Sequence, residues 1–229
     1  MMAFKKYIFL FILFALQLPI AAQDSIIADS LEVFLSKTSD REEKLEILLN
    51  LSDALLYTDL SKALKYGEEA HALAVSEADK KGELSASLLL AMIYYLMSDL
   101  NNAMGYATKA KSLAEDLNEE KYLARSMDAI GSIYYDIGNQ AKSSENFFTS
   151  LKIYENLNDK DGIGGTFCRI GTLYLDQKDY DKAVEYYSKS ISLAKEIDRK
   201  DGIASNLNNL AKVYSEKKEY HKALESYQE

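Results

Sequence analysis

The sequence predicts an all-α protein built from repeated helix pairs, and two observations predict it. Apolar residues occur at helical spacing, and no stretch shows the alternation typical of strands. The same unit also recurs forty residues later, since Gly171, Tyr174, Ala183 and Tyr187 are followed by Ala211, Tyr214, Ala223 and Tyr227. A fixed period of this size is typical of helical repeat arrays. We therefore expect a single extended array of such units.

Residues 1–22 are predicted to be a signal peptide. Lys5 and Lys6 precede an apolar run, and small residues lead to a cut after Ala22. A membrane span needs about 20 apolar residues, and Gln17 and Pro19 interrupt this run. An uncleaved anchor is the alternative. The predicted location is outside the cytoplasm of a bacterium, in the periplasm or secreted, with no membrane span left after cleavage.

The chain is acidic, with a formal net charge of −9. Cleavage after Ala22 removes two lysines and no acidic residue, so the mature chain would carry −11. Such a balance argues against binding to nucleic acid or to anionic lipid. Because Cys168 is the single cysteine, an exported chain would hold no internal disulfide and must depend on packing.

The elements follow in order after the signal. Residues 23–40 have apolar side chains at helical spacing and are predicted to cap the first repeat. Five repeats then occupy residues 41–229. Their helix pairs are predicted at 41–57 and 61–77, 82–97 and 100–117, 122–137 and 140–157, 162–177 and 180–197, and 202–217 and 220–229. The last helix stops partway through its pattern, so we predict a truncated fifth repeat and a fragment of a longer chain.

Four residues are predicted to cap the second helix of each pair. Asp59, Asp99, Asn139 and Asp179 lie at the same position of the repeat, directly before that helix. Their short side chains can accept a hydrogen bond from an unpaired N–H of the first turn, which stabilises the helix by about 1 kcal/mol. Glu219 stands there in the fifth copy and is a poorer cap.

The unit resembles the tetratricopeptide repeat, which places small and aromatic residues at fixed offsets on two antiparallel helices. In the fourth copy these residues are Phe167, Ile170, Gly171, Tyr174, Ala183, Tyr187 and Ser190. The resemblance implies a right-handed superhelical solenoid of antiparallel helix pairs. The period of forty exceeds the family's 34, and the family's closing proline is absent. Longer helices and a deeper groove are therefore expected.

The resemblance also implies a binding groove, because the first helices of such repeats line the concave face of the solenoid. Carried over by position, the candidate partner-binding residues are Tyr95, Arg125, Asp128, Tyr135, Thr172, Asn208 and Lys212. The implied partner is a protein or peptide. A lysine and asparagine clamp for peptide C-termini is not predicted, since Asn208 and Lys212 occur in reversed order.

No catalytic, metal-binding or cofactor-binding residue is predicted. His71 and His221 are far apart in the sequence and neither has a partner at metal-ligand spacing. The glycines at 162, 164 and 165 lack the preceding strand and the following Lys-Ser/Thr of a phosphate loop. Cys168 is interpreted as a packing thiol.

The predicted function is that of an exported, non-enzymatic scaffold that binds a protein or peptide. Long repeats behind a signal peptide also resemble the extracytoplasmic sensor regions of some bacterial signalling proteins. The alternative is thus the N-terminal sensor region of a longer signal-transduction protein, whose histidine kinase or transcriptional regulator would lie beyond Glu229.

Overall fold

The computed structural model describes residues 20–228, with side chains from residue 27 onward. All regular structure over these residues is helical, which confirms the predicted all-α class. The helices are α1 (Ile20–Leu35), α2 (Arg41–Ala54), α3 (Leu60–Ser76), α4 (Lys80–Leu96), α5 (Leu100–Leu117), α6 (Glu120–Asp136), α7 (Gln140–Leu157), α8 (Lys160–Asp176), α9 (Tyr180–Glu196), α10 (Lys200–Glu216) and α11 (Tyr220–Gln228).

Each period of forty residues contains two helices, and each helix with its closing turn takes up about twenty residues. Each helix from α3 to α10 is followed by one residue in the left-handed conformation, with φ between +54° and +79°. These residues are Ala78, Ser98, Asn118, Gly138, Asn158, Lys178, Asp198 and Lys218, which follow one another at intervals of twenty. At each site the next N–H bonds back to a carbonyl five residues earlier, as Asp179 N does to Tyr174 O at 2.9 Å. This closing motif ends the helix and reverses the chain.

The four predicted caps of second helices are confirmed. Asp59, Asn139 and Asp179 each accept a hydrogen bond from the backbone N–H three residues later. Asp99 does the same with Asn102 N at 3.1 Å. Three first helices are capped in the same way by Asp40, Asp79 and Asp159, which the sequence analysis did not identify as caps.

The described chain forms two compact units, of which the first ends at Ala103. In it α1 packs on α2, α2 on α3, and α3 on α4. Its core consists of fully buried leucines and isoleucines, including Leu48, Leu51, Leu90 and Ile93. Gly67 faces this core, and a Cβ added there would lie 3.1 Å from Leu90 Cδ2.

The second unit comprises residues 104–229 and contains three successive helix pairs, α6–α7, α8–α9 and α10–α11. Adjacent pairs are joined because α7 packs on α8 and α9 on α10. The first helices of neighbouring pairs also touch, α6 with α8 and α8 with α10. One core cluster holds Phe147, Leu151, Ile170 and Leu173. Another holds Leu175, Ala183, Tyr187, Ile191, Leu207, Leu210 and Val213.

The predicted signal peptide falls almost wholly outside the described residues, which begin at Ile20. Helix α1 begins at that residue and continues through the predicted cut after Ala22. Among residues 20–228 no helix has both the length and the apolar content that crossing a membrane requires.

Candidate ligand-binding face of the first helices

Three side-chain contacts between the first helices of the second unit share one offset. Asp128 meets Arg169, Tyr135 meets Asp176, and Cys168 meets Asn209, each 41 positions further along the chain. These contacts define what we call the first-helix face. It is the surface of α6, α8 and α10 that carries Arg125, Asp128, Tyr135, Cys168, Arg169, Thr172, Asp176, Asn208, Asn209 and Lys212.

Asp128 is buried at the junction of α6 and α8, and its residue is only 7% exposed. The hydroxyl oxygen of Thr166 lies 3.2 Å from both of its carboxylate oxygens. The guanidinium of Arg169 approaches Oδ2 to 3.7 Å. The sequence analysis predicted that Asp128 lies in the partner-binding groove. The structure instead buries its carboxyl, next to the side chain of Arg169 from the following repeat.

Burial dominates the acid–base behaviour of Asp128. Removal from water raises the pKa of this carboxyl above its ordinary value. The charge of Arg169 and hydrogen bonding by Ser150 and Thr166 oppose that rise without cancelling it. The carboxyl therefore holds its proton to higher pH than a carboxyl in water does.

Two arginines flank this buried carboxyl. Arg125 lies one turn before Asp128 on α6, is exposed, and holds its guanidinium 5.8 Å from the centre of the Tyr122 ring. Arg169 lies on α8, and its side chain is 39% exposed. Both guanidinium groups lower the pKa of the buried Tyr154 hydroxyl, which its burial and Asp128 raise.

Tyr135 has a structural role as well as a place on the face. Its ring is half-buried and packs against the cluster of Phe147, Leu151, Ile170 and Leu173. Its hydroxyl donates a hydrogen bond to Asp176 Oδ2. Burial, and then Asp176, raise the pKa of the Tyr135 hydroxyl. The side chain thus connects α6 to α8.

Thr172 and Cys168 lie on α8 between the two core clusters. The Thr172 hydroxyl donates to Cys168 O at 3.1 Å and lies 2.9 Å from the Tyr187 hydroxyl. Burial raises the pKa of the Cys168 thiol, which accepts a contact from Asn209 Nδ2 at 3.6 Å. A thiol with a raised pKa is a weak nucleophile, so this residue suits packing better than catalysis.

The remaining candidate binding residues are more exposed to solvent than Asp128. Asn208 and Lys212 are exposed on α10, one turn apart. Tyr95, the candidate in the first unit, is half-buried near the C-terminal end of α4. Within residues 27–228 no group of three His, Cys, Asp or Glu side chains could hold a metal ion.

Sequence reasoning missed Arg169, Asp176 and Asn209. The sequence analysis moved by exactly forty residues from one repeat to the next, from 128 to 168 and 208. It therefore selected positions adjacent to these residues in the sequence. Neighbouring first helices make contacts at offsets close to the period, 41 for these three residues and 38 for Thr166 with Asp128. A search for polar pairs at an offset of 41 would have found these three residues.

The comparison with protein families fits this geometry. Residues 163–229, which contain most of α8 and all of α9, α10 and α11, match the tetratricopeptide repeat. This is a tetratricopeptide-repeat fold. A search of the curated proteins found no match to the sequence.

Solved structures share the same repeat architecture. NprR in complex with its cognate peptide NprX has a TM-score of 0.72 at 16% identity, covering 93% of this chain and 61% of NprR. BtubC (BKLC) from P. vanneervenii has a TM-score of 0.69 at 16% identity, covering 91% and 87%. A Rap protein complexed with competence and sporulation factor has a TM-score of 0.68 at 18% identity, covering 86% and 65%. At such identities these likenesses show the fold alone.

Proposed function

We propose that this repeat protein is an exported, non-enzymatic scaffold that binds a peptide segment on its first-helix face. The observation that carries the proposal is the set of exposed polar side chains on that face. Arg125, Asn208 and Lys212 are exposed there. None of the three has a role in the core clusters of the second unit.

The solved relatives support a binding role. NprR was solved in complex with its cognate peptide NprX, and the Rap protein was solved complexed with competence and sporulation factor. A peptide needs hydrogen-bonding side chains at regular spacing, and the repeat supplies them on successive first helices. Interfaces also concentrate their energy in aromatic and arginine side chains, and the face carries Tyr135, Arg125 and Arg169.

The sensor region of a longer signal-transduction protein is a second candidate. A tetratricopeptide repeat sensor within the STAND protein PH0952 from Pyrococcus horikoshii is similar in fold, with a TM-score of 0.64 at 20% identity, although this chain covers only 28% of that protein. Sequencing the coding region beyond Glu229 tests this candidate. A kinase or DNA-binding module there would support it, and a stop codon would contradict it.

The binding function is tested by selecting peptides from a random displayed library on the immobilised whole chain. Selected peptides are then titrated against the chain in solution by fluorescence anisotropy. We expect saturable binding that Lys212→Gln and Asn208→Ala weaken. The control is Lys160→Gln, which removes an exposed lysine that pairs with Glu196 away from this face. Recovery of no binding peptide would contradict the proposed function.

A further inference from the structure

Helix α8 contains four glycines, and three of them lie near its start, at positions 162, 164 and 165. Gly162 is required by packing, because a Cβ added there would overlap a ring of α7. Gly164 and Gly165 are not. A Cβ at Gly164 would lie 3.7 Å from Leu193 Cβ, which is an ordinary contact, and a Cβ at Gly165 would meet the flexible end of Arg169.

The first two turns of α8, residues 160–166, are therefore weaker than a helix needs to be. We call them the glycine segment. At the positions of Gly164 and Gly165, helices α6 and α10 have alanine, arginine or serine. Because glycine destabilises a helix relative to alanine, the glycine segment depends on tertiary contacts to stay helical.

Two side-chain hydroxyls connect the glycine segment to its neighbours. Ser190 on α9 donates a hydrogen bond to Gly164 O at 2.7 Å. On the other side, the hydroxyl oxygen of Thr166 lies 3.2 Å from both carboxylate oxygens of Asp128 on α6. Thr166 and Asp128 are both buried. The Asp128 carboxyl is thus a point at which α6 holds the glycine segment.

The hydrogen bonds at this contact favour a protonated carboxyl. The single hydrogen of the Thr166 hydroxyl has Gly162 O as an acceptor at 2.9 Å, closer than either carboxylate oxygen at 3.2 Å. Ser150, the other hydroxyl that reaches Asp128, donates to Ala124 O at 3.0 Å. A protonated Asp128 donates its own hydrogen to the Thr166 oxygen, so these bonds coexist. An ionised Asp128 is an acceptor only and must compete with the two carbonyls for a hydroxyl hydrogen.

The charged and titratable groups around this carboxyl do not offset its burial. Arg169 on α8 lies 3.7 Å away, and its side chain is 39% exposed, so water weakens the attraction. Tyr154 on α7 also faces the carboxyl, and burial raises the pKa of its hydroxyl. Arg125 on α6 and Asp159 before α8 act on Tyr154 as well, and Asp159 has its own lysine partner on α6. The net result is a raised pKa for the carboxyl.

We propose that Asp128 and Thr166 form a proton-operated latch, which holds the glycine segment against α6 while the Asp128 carboxyl is protonated and releases the segment when that carboxyl ionises. Release separates the two side chains, lets water reach the carboxylate and unfolds the glycine segment, while α9 stays folded. The proton goes to the solvent. This junction of the array then responds to acidity whether or not a peptide is bound.

The direction of the response follows from the two forms of the carboxyl. In the open form Asp128 regains the ordinary pKa of about 4, whereas in the closed form its pKa is raised. The equilibrium constant for opening should therefore rise by up to about tenfold per pH unit between these two values and level off above the higher one.

Hydrogen exchange of the whole chain, followed by mass spectrometry between about pH 5 and pH 8, tests the latch. Exchange times are scaled for the chemical exchange rate at each pH. We expect the protection of residues 160–166 to fall by about tenfold or more as the pH rises, while α9 keeps its protection. Residues 200–206 are the internal reference, because Asn206 and Cys168 stand there in the places of Thr166 and Asp128.

Four variants assign the effect to the latch. Asp128→Asn has no proton to lose, and its amide can donate to the Thr166 oxygen as a protonated carboxyl does, so it should keep the glycine segment protected at every pH. Asp136→Asn, on the exposed side of the same helix, should leave the fall unchanged. Gly164→Ala should raise the protection of the segment about two- to fivefold at each pH. Gly105→Ala is its control and should not alter this segment.

Three results would overturn the latch. The first is protection of residues 160–166 that changes with pH no more than that of residues 200–206. The second is a fall in protection that Asp128→Asn retains. The third is an equal fall in α9, which would show general destabilisation of the second unit. Should Asp128→Asn fold poorly, the first and third results still decide, since both are measured on the unchanged chain.

Discussion

The ring of Tyr187 on α9 lies directly against Gly171 on α8. A Cβ added at Gly171 would be 2.9 Å from both Cδ1 and Cε1 of that ring. Tyr187 is fully buried, with 0% of its surface exposed. Gly131 and Phe147 repeat the arrangement one unit earlier, where the corresponding distance is 2.7 Å. A small residue on the first helix and a ring on the second thus set how closely each pair packs.

Gly171→Leu should therefore destabilise the fold. Overpacking of this kind costs about 1–3 kcal/mol, which a chemical denaturation curve resolves. The control is Gly105→Ala, because nothing lies within 4 Å of a Cβ at that position. Gly105 lies inside α5, so alanine there should raise stability by about 0.5–1 kcal/mol. Equal stability of Gly171→Leu and the unchanged chain would contradict the close contact.

The left-handed residues between helices give a second prediction. Gly138, with φ of +79°, is the glycine among them, and Lys178 holds φ of +60° with a side chain. A side chain in this conformation costs about 1–2 kcal/mol. Gly138→Ala should lower the unfolding free energy, and Lys178→Gly should raise it by up to about 1 kcal/mol. Lys178→Ala is the control. It should change the unfolding free energy little, since lysine and alanine both have a Cβ that is strained at this φ. Loss of stability in Lys178→Gly would contradict this account.

Asp128 predicts a pH dependence of stability. Its folded-state pKa is raised by burial, so its contribution to stability is fully present below the unfolded pKa and is lost as pH rises through the folded pKa. Asp128→Asn has no ionisable carboxyl at this position and so does not lose this stability as the pH rises. The stability of Asp128→Asn relative to the unchanged chain should rise between about pH 4, close to the ordinary pKa of Asp, and neutral pH.

Urea denaturation at several pH values measures this difference. Asp136→Asn is the control, since Asp136 is exposed at the end of α6, and its effect should vary much less with pH. A relative stability of Asp128→Asn that falls toward neutral pH would mean that the ion pair with Arg169 outweighs burial.

Two substitutions of Tyr135 separate the stabilisation from its ring packing from the stabilisation by its hydrogen bond. Tyr135→Phe keeps the ring on the core and removes the bond to Asp176, which should cost about 0.5–1.5 kcal/mol. Tyr135→Ala also removes the ring contacts and should cost clearly more. Thermal melts of both variants measure the difference. Equal losses would show that the ring adds nothing to the core.

The signal peptide remains a prediction with a direct test. Mass spectrometry of the exported protein should find an N-terminus at Gln23, because the charged and apolar segments precede a small residue at 22. Ala22→Arg should block cleavage and serves as the control. Recovery of the chain with Met1 in the membrane fraction would indicate an uncleaved anchor instead.

The repeating pattern was sufficient to predict the fold class and the start and end of most helices within about two residues. Gly171, Tyr187 and the cap residue Asp179 recur with the period, and each encodes a local or nearest-neighbour contact. The left-handed residues were not predicted, because only Gly138 among the eight is a glycine. Backbone closure by the hydrogen bonds of the turn imposes that conformation on ordinary side chains.

Residues at one position of the repeat can have different environments, and only the tertiary structure decided which. Tyr187 is buried because α10 packs over it with Leu207 and Leu210, whereas Tyr227, at the same position of the next repeat, is 59% exposed. Asp128 and Asn208 also share a position, yet one is buried and the other exposed. The period alone predicted helices and their pairing, since these depend on local sequence. Burial, ion pairs and the contact of Arg169 with Asp128 depend on how neighbouring repeats pack together, which no single repeat encodes.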